Sequence, residues 1–413
     1  MSEIKSKPTG PIPDGYDAHH GELAIGGRTV GELAEEAGRT PFFAYSRELL
    51  ERRMAELRHA IPDRIRINYA IKANSFRPVL ELMSSLADGL DIASGGELDL
   101  VRATGFDLAR VSFAGPGKRD DELEQAIRSG VTLNCESEGE AERTLAIADR
   151  LGMTPRMAIR VNPDFELKGS GMKMGGGPKP FGIDADRVPA LVWTIIEQGA
   201  DWRGLHIFTG SQSLDADSLI DTQGKVLDLA DRLSREAGQP CPKLNMGGGF
   251  GIPYFHGDEP LDIKRIGAAL EARLDNLPDS LREAELFLEL GRYLVGEAGV
   301  YVTRILDRKE SYGETYLVTD GGLHHQLAAS GNFGTVVRRN YPVAIANRMD
   351  DPATDIANIV GCLCTPLDRL ADRAQLPHAE VGDLVAVFCA GAYGASASPS
   401  AFLGQGPARE LLV

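Results

Sequence analysis

The sequence predicts an α/β protein: a (β/α)8 TIM-like barrel followed by an antiparallel β domain. Two observations carry this. Between Asn68 and Leu290, short apolar runs alternate with amphipathic stretches about eight times, roughly the number of β/α units that closes such a barrel. From Val300 the rhythm changes to short strands and turns without regular helices between them. The expected division is residues 1–41 as an N-terminal segment joining the β domain, 42–292 as the barrel, and 293–413 as the C-terminal β domain.

Taken in order, a Gly/Pro-rich start (Pro8 to Tyr16) precedes the regular part. The barrel strand candidates are Asn68–Lys72, Gly89–Ser94, Arg110–Gly115, Val131–Glu136, Met157–Asn162, Gly204–Phe208, Lys243–Gly248 and Leu286–Leu290. Between them Pro78–Leu86, Asp120–Arg128, Glu138–Leu151 and Leu214–Glu236 carry apolar residues at helical spacing. Pro163–Phe181 is long, irregular and rich in Gly, Lys and Pro, as a lid, a binding loop or a disordered surface excursion would be. The β-domain candidates are Val300–Leu306, Thr315–Thr319, Pro342–Ala346, Ile356–Gly361 and Leu384–Phe388.

Composition narrows the function. With 413 residues, 43% of them hydrophobic, the chain can bury a large core, and two domains are expected. A formal net charge of −16 argues against a nucleic-acid partner, because nothing would neutralise the phosphates. The 5 cysteines are an odd number scattered through apolar runs, as reduced thiols in a cytoplasmic protein would be. Cys362-x-Cys364 has no second pair or histidine cluster nearby, so no metal site is expected. The start Met1–Lys5 lacks the apolar core of a signal peptide, and no segment approaches the length of a membrane span.

Polar residues or glycines stand at the strand ends: Lys72, Ser94, Gly115, Glu136, Asn162, His206, Gly248 and Glu289. In a β/α barrel the C-terminal face carries the active site. A lysine there is costly to bury unless it is paired or does chemistry, and a desolvated amine can form a Schiff base with an aldehyde. The run Gly247-Gly248-Gly249-Phe250-Gly251 follows a strand, where bare backbone N–H groups could approach phosphate oxygens; a tight turn explains it too.

Seven motifs stand in register: Tyr69-Ala70-Ile71-Lys72-Ala73-Asn74, Leu90-Asp91-Ile92-Ala93-Ser94-Gly95-Gly96-Glu97-Leu98, His206-Ile207-Phe208-Thr209-Gly210-Ser211-Gln212, the glycine run, Glu289-Leu290-Gly291-Arg292, Gly361-Cys362-Leu363-Cys364 and Gly391-Ala392-Tyr393-Gly394. From about Phe42 onward the chain resembles the pyridoxal-phosphate decarboxylases of the alanine-racemase fold (fold type III), the diaminopimelate, ornithine and arginine decarboxylase group. The resemblance implies pyridoxal 5'-phosphate as cofactor. Lys72 would hold its aldehyde, and His206 would stack on its ring. Glu289 beside the pyridine nitrogen would keep that nitrogen protonated and the ring a strong electron sink. Gly248, Gly249 and Gly291 would line the cofactor site, with Ser211, Arg292 and Tyr393 adding donors to the phosphate or the substrate. Asp91 and Arg160 resemble residues of the cofactor pocket, although core salt bridges explain them nearly as well. Cys364 resembles the thiol that reprotonates the α-carbon after CO2 leaves, supplied by the partner subunit, which implies a homodimer with shared active sites.

The match departs from the family in two places. Diaminopimelate decarboxylases usually read Cys-Glu-Ser-x-Asp where this chain has Cys364-Thr365-Pro366-Leu367-Asp368. Thr365 cannot hold a distal ammonium by charge, which weighs against diaminopimelate, and Asp368 is the nearest acid that could compensate. Two residues are also added between His206 and Gly210 relative to the usual His-x-Gly-Ser. Both features resemble a sub-branch that holds the butirosin-pathway carrier-protein-linked glutamate decarboxylase and exosortase-associated decarboxylases. Arg338 and Arg339 lie where the family carries a substrate-carboxylate arginine. The expected activity is decarboxylation of an L-amino acid or an amino-acyl conjugate, free or linked to an acyl carrier protein. A racemase of the same fold and a non-catalytic regulatory homologue are the alternatives; Glu289 weighs against the first, and intact Lys72, Glu289 and Cys364 against the second.

Overall fold

The computed structural model of the protein describes residues 5–167, 172–331 and 338–413. The described chain forms two compact units: 54–251 with 261–291, and 1–53 with 252–260 and 292–413.

The first unit is a closed parallel barrel of eight strands. They are β1 (Ile65–Ala70), β2 (Gly89–Ile92), β3 (Val111–Phe113), β4 (Thr132–Cys135), β5 (Arg156–Asn162), β6 (Asp201–Ile207), β7 (Lys243–Asn245) and β8 (Glu285–Leu290). Each pairs with the next in parallel, and β8 returns to β1. Their sequences are nearly continuous apolar runs because both faces are covered, as Ile67, Tyr69, Leu90, Phe113, Ile159, Leu286 and Leu288 are here. Every strand candidate of the sequence falls on one of these. Lys72, however, lies beyond β1 on a 3-10 turn, Ile71–Ala73.

Helices follow the strands closely. Ser94 and Ser137 cap the helices Gly95–Thr104 and Glu138–Leu151 by accepting from the N–H groups of Glu97 and Glu140. In β6 the register shifts between Trp202 and Gly204; Gly204 has φ +106°, and a Cβ there would overlap the Lys243 carbonyl oxygen. Within the long Pro163–Phe181 loop, Lys168–Gly171 lie outside the described residues. The described remainder is tied down: Met172–Lys173 pairs with Gly210–Ser211, and the Asn162 amide donates to Gly177 O and Asp184 Oδ1, each at 2.9 Å.

The second unit is a mostly antiparallel β structure organised on the 13-residue strand Gly299–Ser311. That strand pairs with Phe42–Tyr45, Leu384–Val387 and Glu314–Thr319, all antiparallel. One correction to the sequence reading follows. Phe42–Tyr45, placed there at the start of the barrel, is a strand of this sheet, because its all-apolar FFAY run is covered on both sides by sheet neighbours. Glu314–Thr319 with Asp355–Val360, and Phe42–Tyr45 with Arg409–Leu412, are parallel pairs. Upstream, the strands Asp17–His19, Glu22–Ile25 and Arg28–Thr29 lead into the helix Val30–Ala37, which a Thr29/Glu32 capping box starts. Leu23, Ile25, Val30 and Leu33 share one core with Phe42, Val300, Val302, Leu384 and Phe388. Among the described residues no helix is long and apolar enough to cross a membrane.

Candidate active site

At the C-terminal ends of the barrel strands the polar groups converge on Lys72. Its Nζ lies 3.4 Å from Asp91 Oδ2, at the end of β2, and 3.5 Å from Glu289 Oε1, on β8. The lysine side chain is 40% exposed, so the amine is paired and reachable rather than deeply desolvated. Both carboxylates are buried. Burial raises the Asp91 carboxyl well above its usual range, the Glu289 charge raises it further, and Lys72 offsets only part of this. Burial pushes Glu289 upward too, but Lys72, His206 and the hydrogen bonds it accepts outweigh that and hold it well below the usual carboxylate range. These opposing effects therefore push the two carboxyls apart, Asp91 up and Glu289 down.

Three neighbouring strands build the surroundings of Glu289. His206 Nε2 on β6 stands 3.1 Å from Glu289 Oε2, off the line of a good hydrogen bond, and His206 Nδ1 has no protein partner. On β7, Asn245 Nδ2 donates to the same Oε2 at 3.0 Å. The other end of that amide, Oδ1, accepts from Gly247 N at 2.9 Å and starts the glycine turn. Gly247 and Gly249 have φ of +67° and +80°, open only to glycine at low cost, and a Cβ on Gly248 would overlap the Glu289 carbonyl oxygen. Gly291 packs against Ala73, and Ser211 sits half-buried on its short strand. Asp91 Oδ1 and His206 Nδ1 are buried polar atoms without a hydrogen-bond partner.

A second layer supports this face. Arg160 Nη1 pairs with Glu136 Oε1 at 2.8 Å, and Glu136 also accepts the N–H groups of Gly115 and Gly182. Lys118, with its side chain 1% exposed, donates to Glu140 Oε1, Gly115 O and Asn134 O at 2.7, 2.8 and 2.9 Å. Sequence reasoning missed Asn245 and the Lys118–Glu140 pair. An asparagine two residues before a glycine run was the available signal for the former.

The remaining candidates lie in the β unit. Arg292 is buried; its Nη1 donates to the Tyr254 hydroxyl at 2.7 Å, and the guanidinium lies 4.8 Å from the centre of the Tyr393 ring. Its Nε has no hydrogen-bond partner. Cys364 is exposed and Cys362 half-buried. Arg338 donates to the carbonyls of Ser330 and Leu367. Arg339 is exposed, lies over the Phe255 ring and stands 3.8 Å from Asp258. Asp368 corrects the sequence reading. It is buried, and its two carboxylate oxygens accept from Leu323 N at 2.7 Å and Leu363 N at 2.9 Å. It clamps two backbone segments from a buried position, so it presents no exposed carboxylate to a substrate ammonium. Thr365 Oγ1 accepts from Leu367 N at 3.3 Å within the same turn.

The barrel residues fit a pyridoxal group: a reachable primary amine, an ionised carboxylate for a ring nitrogen, a glycine turn without side chains, and unpartnered buried polar atoms around them. Fold and site together define the class of pyridoxal-phosphate enzymes built on a β/α barrel. Residues 47–296 match the family described as pyridoxal-dependent decarboxylase, pyridoxal binding domain, and the chain belongs to that family. It is 37% identical over 379 residues to the L-glutamyl-[BtrI acyl-carrier protein] decarboxylase of Niallia circulans, covering 90% of this chain and 88% of that one. It is 33% identical to the diaminopimelate decarboxylase of Archaeoglobus fulgidus, covering 96% and 93%. The structure of the diaminopimelate decarboxylase from M. jannaschii in complex with L-lysine matches with a TM-score of 0.87 at 26% identity, covering 97% and 93% of the two chains.

Proposed function

We propose that this pyridoxal-phosphate decarboxylase acts on an L-amino acid carried as a conjugate, with glutamate linked through its side chain to an acyl carrier protein as the leading candidate. The observation that carries the reading is the occupied carboxylate of Asp368 beside Thr365. Together they leave the Cys364 turn without an exposed negative charge for the far ammonium of diaminopimelate. The 37% identity to a carrier-linked glutamate decarboxylase supports it.

When bound, pyridoxal phosphate supplies the electron sink that accepts the electron pair left as CO2 departs. The protein's own groups do the rest. Lys72 Nζ would hold the cofactor's aldehyde end. Glu289 would hold a proton at the ring nitrogen, a task for which a carboxylate kept ionised by Lys72, His206 and Asn245 is suited. His206 would lie against the ring, and Asp91 and Arg160 would line the pocket. The N–H groups of Gly248, Gly249 and Gly291 would hold the phosphate, and Ser211, Arg292 and Tyr393 would be further donors to phosphate or substrate. Arg338 or Arg339 binds a substrate carboxylate or a carrier's phosphate. Cys364 Sγ returns a proton to the α-carbon. Its exposure on its own chain suits a thiol that serves a second copy, which supports a homodimer with shared sites; the proposed compartment is the cytoplasm.

The test is CO2 release by the cofactor-loaded enzyme from carrier-linked glutamate and from free meso-diaminopimelate. Turnover of the former with little of the latter is expected. Ready turnover of diaminopimelate would refute the substrate assignment.

A further inference from the structure

We infer that Asn245 is a positioning residue of the active site, its amide orienting Glu289 with one end while fixing the glycine turn with the other. The inference rests on the decarboxylase reading of the site. Glu289 Oε2 receives two contacts from adjacent strands, Asn245 Nδ2 at 3.0 Å and His206 Nε2 at 3.1 Å. His206 and Asn245 are register partners on β6 and β7, so the barrel itself sets this spacing. With Oε2 anchored, Oε1 is the oxygen turned to Lys72, 3.5 Å away. At the same time Oδ1 of Asn245 holds Gly247 N at 2.9 Å, and Glu289 N donates to Gly247 O at 2.8 Å. Turn and carboxylate therefore cannot move independently: a cofactor held at both its phosphate and its ring nitrogen meets one rigid unit.

The chemistry explains why an amide is needed. The acceptor end can be supplied by either asparagine or aspartate, but only asparagine also donates. A carboxylate at this position would face Glu289 across the distance of a hydrogen bond, and two buried like charges that close must share a proton. That proton would neutralise the group whose charge the ring nitrogen needs. The other titratable groups facing Glu289 are Lys72, Asp91 and His206, with Glu97 behind Asp91; Asp91 is itself raised by its nearness to Glu289, so it would not relieve the repulsion.

Two substitutions separate the two roles. Asn245→Asp keeps an acceptor for Gly247 N and removes the donor to Glu289. It should leave the dissociation constant for pyridoxal phosphate within about twofold and lower kcat by about 10- to 100-fold, the range of a lost hydrogen bond to a charged group. It should also move the acid limb of the pH profile of kcat upward by about one unit or more. Asn245→Ala removes both ends and should in addition weaken cofactor binding by about tenfold. A readout independent of catalysis is the carboxyl titration of Glu289 in cofactor-free protein, followed by isotope-edited infrared spectroscopy. Its midpoint should rise in Asn245→Asp. If both variants keep the wild-type pH profile and the Glu289 titration does not move, Asn245 has no positioning role. A shifted titration in a protein that releases CO2 from no amino-acid substrate would instead uphold the inference and refute the decarboxylase reading.

Discussion

The buried pair Lys118–Glu140 offers a sharp test of how the barrel face is held. Their side chains are 1% and 3% exposed, and the ammonium spends its three donors on Glu140 and on the carbonyls of Gly115 and Asn134. Burial raises the Glu140 carboxyl, and the Lys118 charge offsets this only in part. The ion pair is thus not a source of net stability, but removing one member strands the other. Glu140→Gln leaves a buried ammonium without a counter-charge, and about 3–5 kcal/mol should be lost. Lys118→Met leaves a buried carboxylate and two undonated carbonyls, with a similar cost near neutral pH. The two differ in pH dependence. Once Lys118 is gone, Glu140 is raised further, so the penalty is full above the folded value and shrinks as the pH falls from there towards the unfolded one, where the folded state holds the extra proton. The cost of Glu140→Gln runs the other way, because a stranded ammonium is pushed down and its penalty shrinks only as the pH rises. Urea unfolding followed by tryptophan fluorescence reads this directly, since Trp193 and Trp202 both belong to the barrel unit. The double variant Lys118→Met/Glu140→Leu should lose less than the sum of the single changes by about 2 kcal/mol or more. Single costs under about 1 kcal/mol, or a Lys118→Met cost equal at about pH 5 and pH 7.5, would refute the reasoning.

Three further outcomes are expected. Gly248→Ala must push a methyl group into the Glu289 carbonyl, so cofactor absorbance should be lost with little secondary-structure change by circular dichroism. Cys364→Ala should retain cofactor absorbance while turnover slows by about 10²-fold or diverts to a transaminated product, measured by CO2 release and product analysis; wild-type turnover would remove Cys364 as the proton donor. Burial, helped by its neighbour His324, lowers His325 to about 4, so its contribution to stability is complete above the unfolded value and is lost as the pH falls from there towards 4. The full excursion corresponds to about 3 kcal/mol, and His325→Asn should flatten the acid side of the thermal-unfolding profile.

Much of this architecture was legible in the sequence because barrel strands are short apolar runs that end in polar residues or glycine, and all eight carried that signature. The β unit was less so. Arg369–Leu376 mixes charged and small residues without an alternating apolar pattern, which hides its strand character although only Gln375 of it is exposed. Phe42–Tyr45 is apolar enough for either unit, and only its pairing partner Gly299–Ser311, about 250 residues away, decides the matter. Within the site, residue type and motif led to Lys72, His206, Glu289 and the glycine turn. Which partner each side chain takes was not legible: Asp368 looked available until its carboxylate was found on two backbone N–H groups. Asn245 escaped notice because its role depends on strand adjacency in the closed barrel, which no local spacing encodes.

The strand Phe42–Tyr45 also has a consequence for how the chain is made. It lies between Gly299–Ser311 and Arg409–Leu412, so both of its edges are completed by segments translated long after it. At about 5–20 residues per second, the ribosome exposes this apolar ribbon for roughly ten seconds or more before its first partner appears, and longer before the second. The barrel residues emerge in the interval and can fold while the ribbon waits. During that wait FFAY is an unpaired edge that invites association with other nascent chains, and chaperone demand should fall on this N-terminal stretch rather than on the barrel.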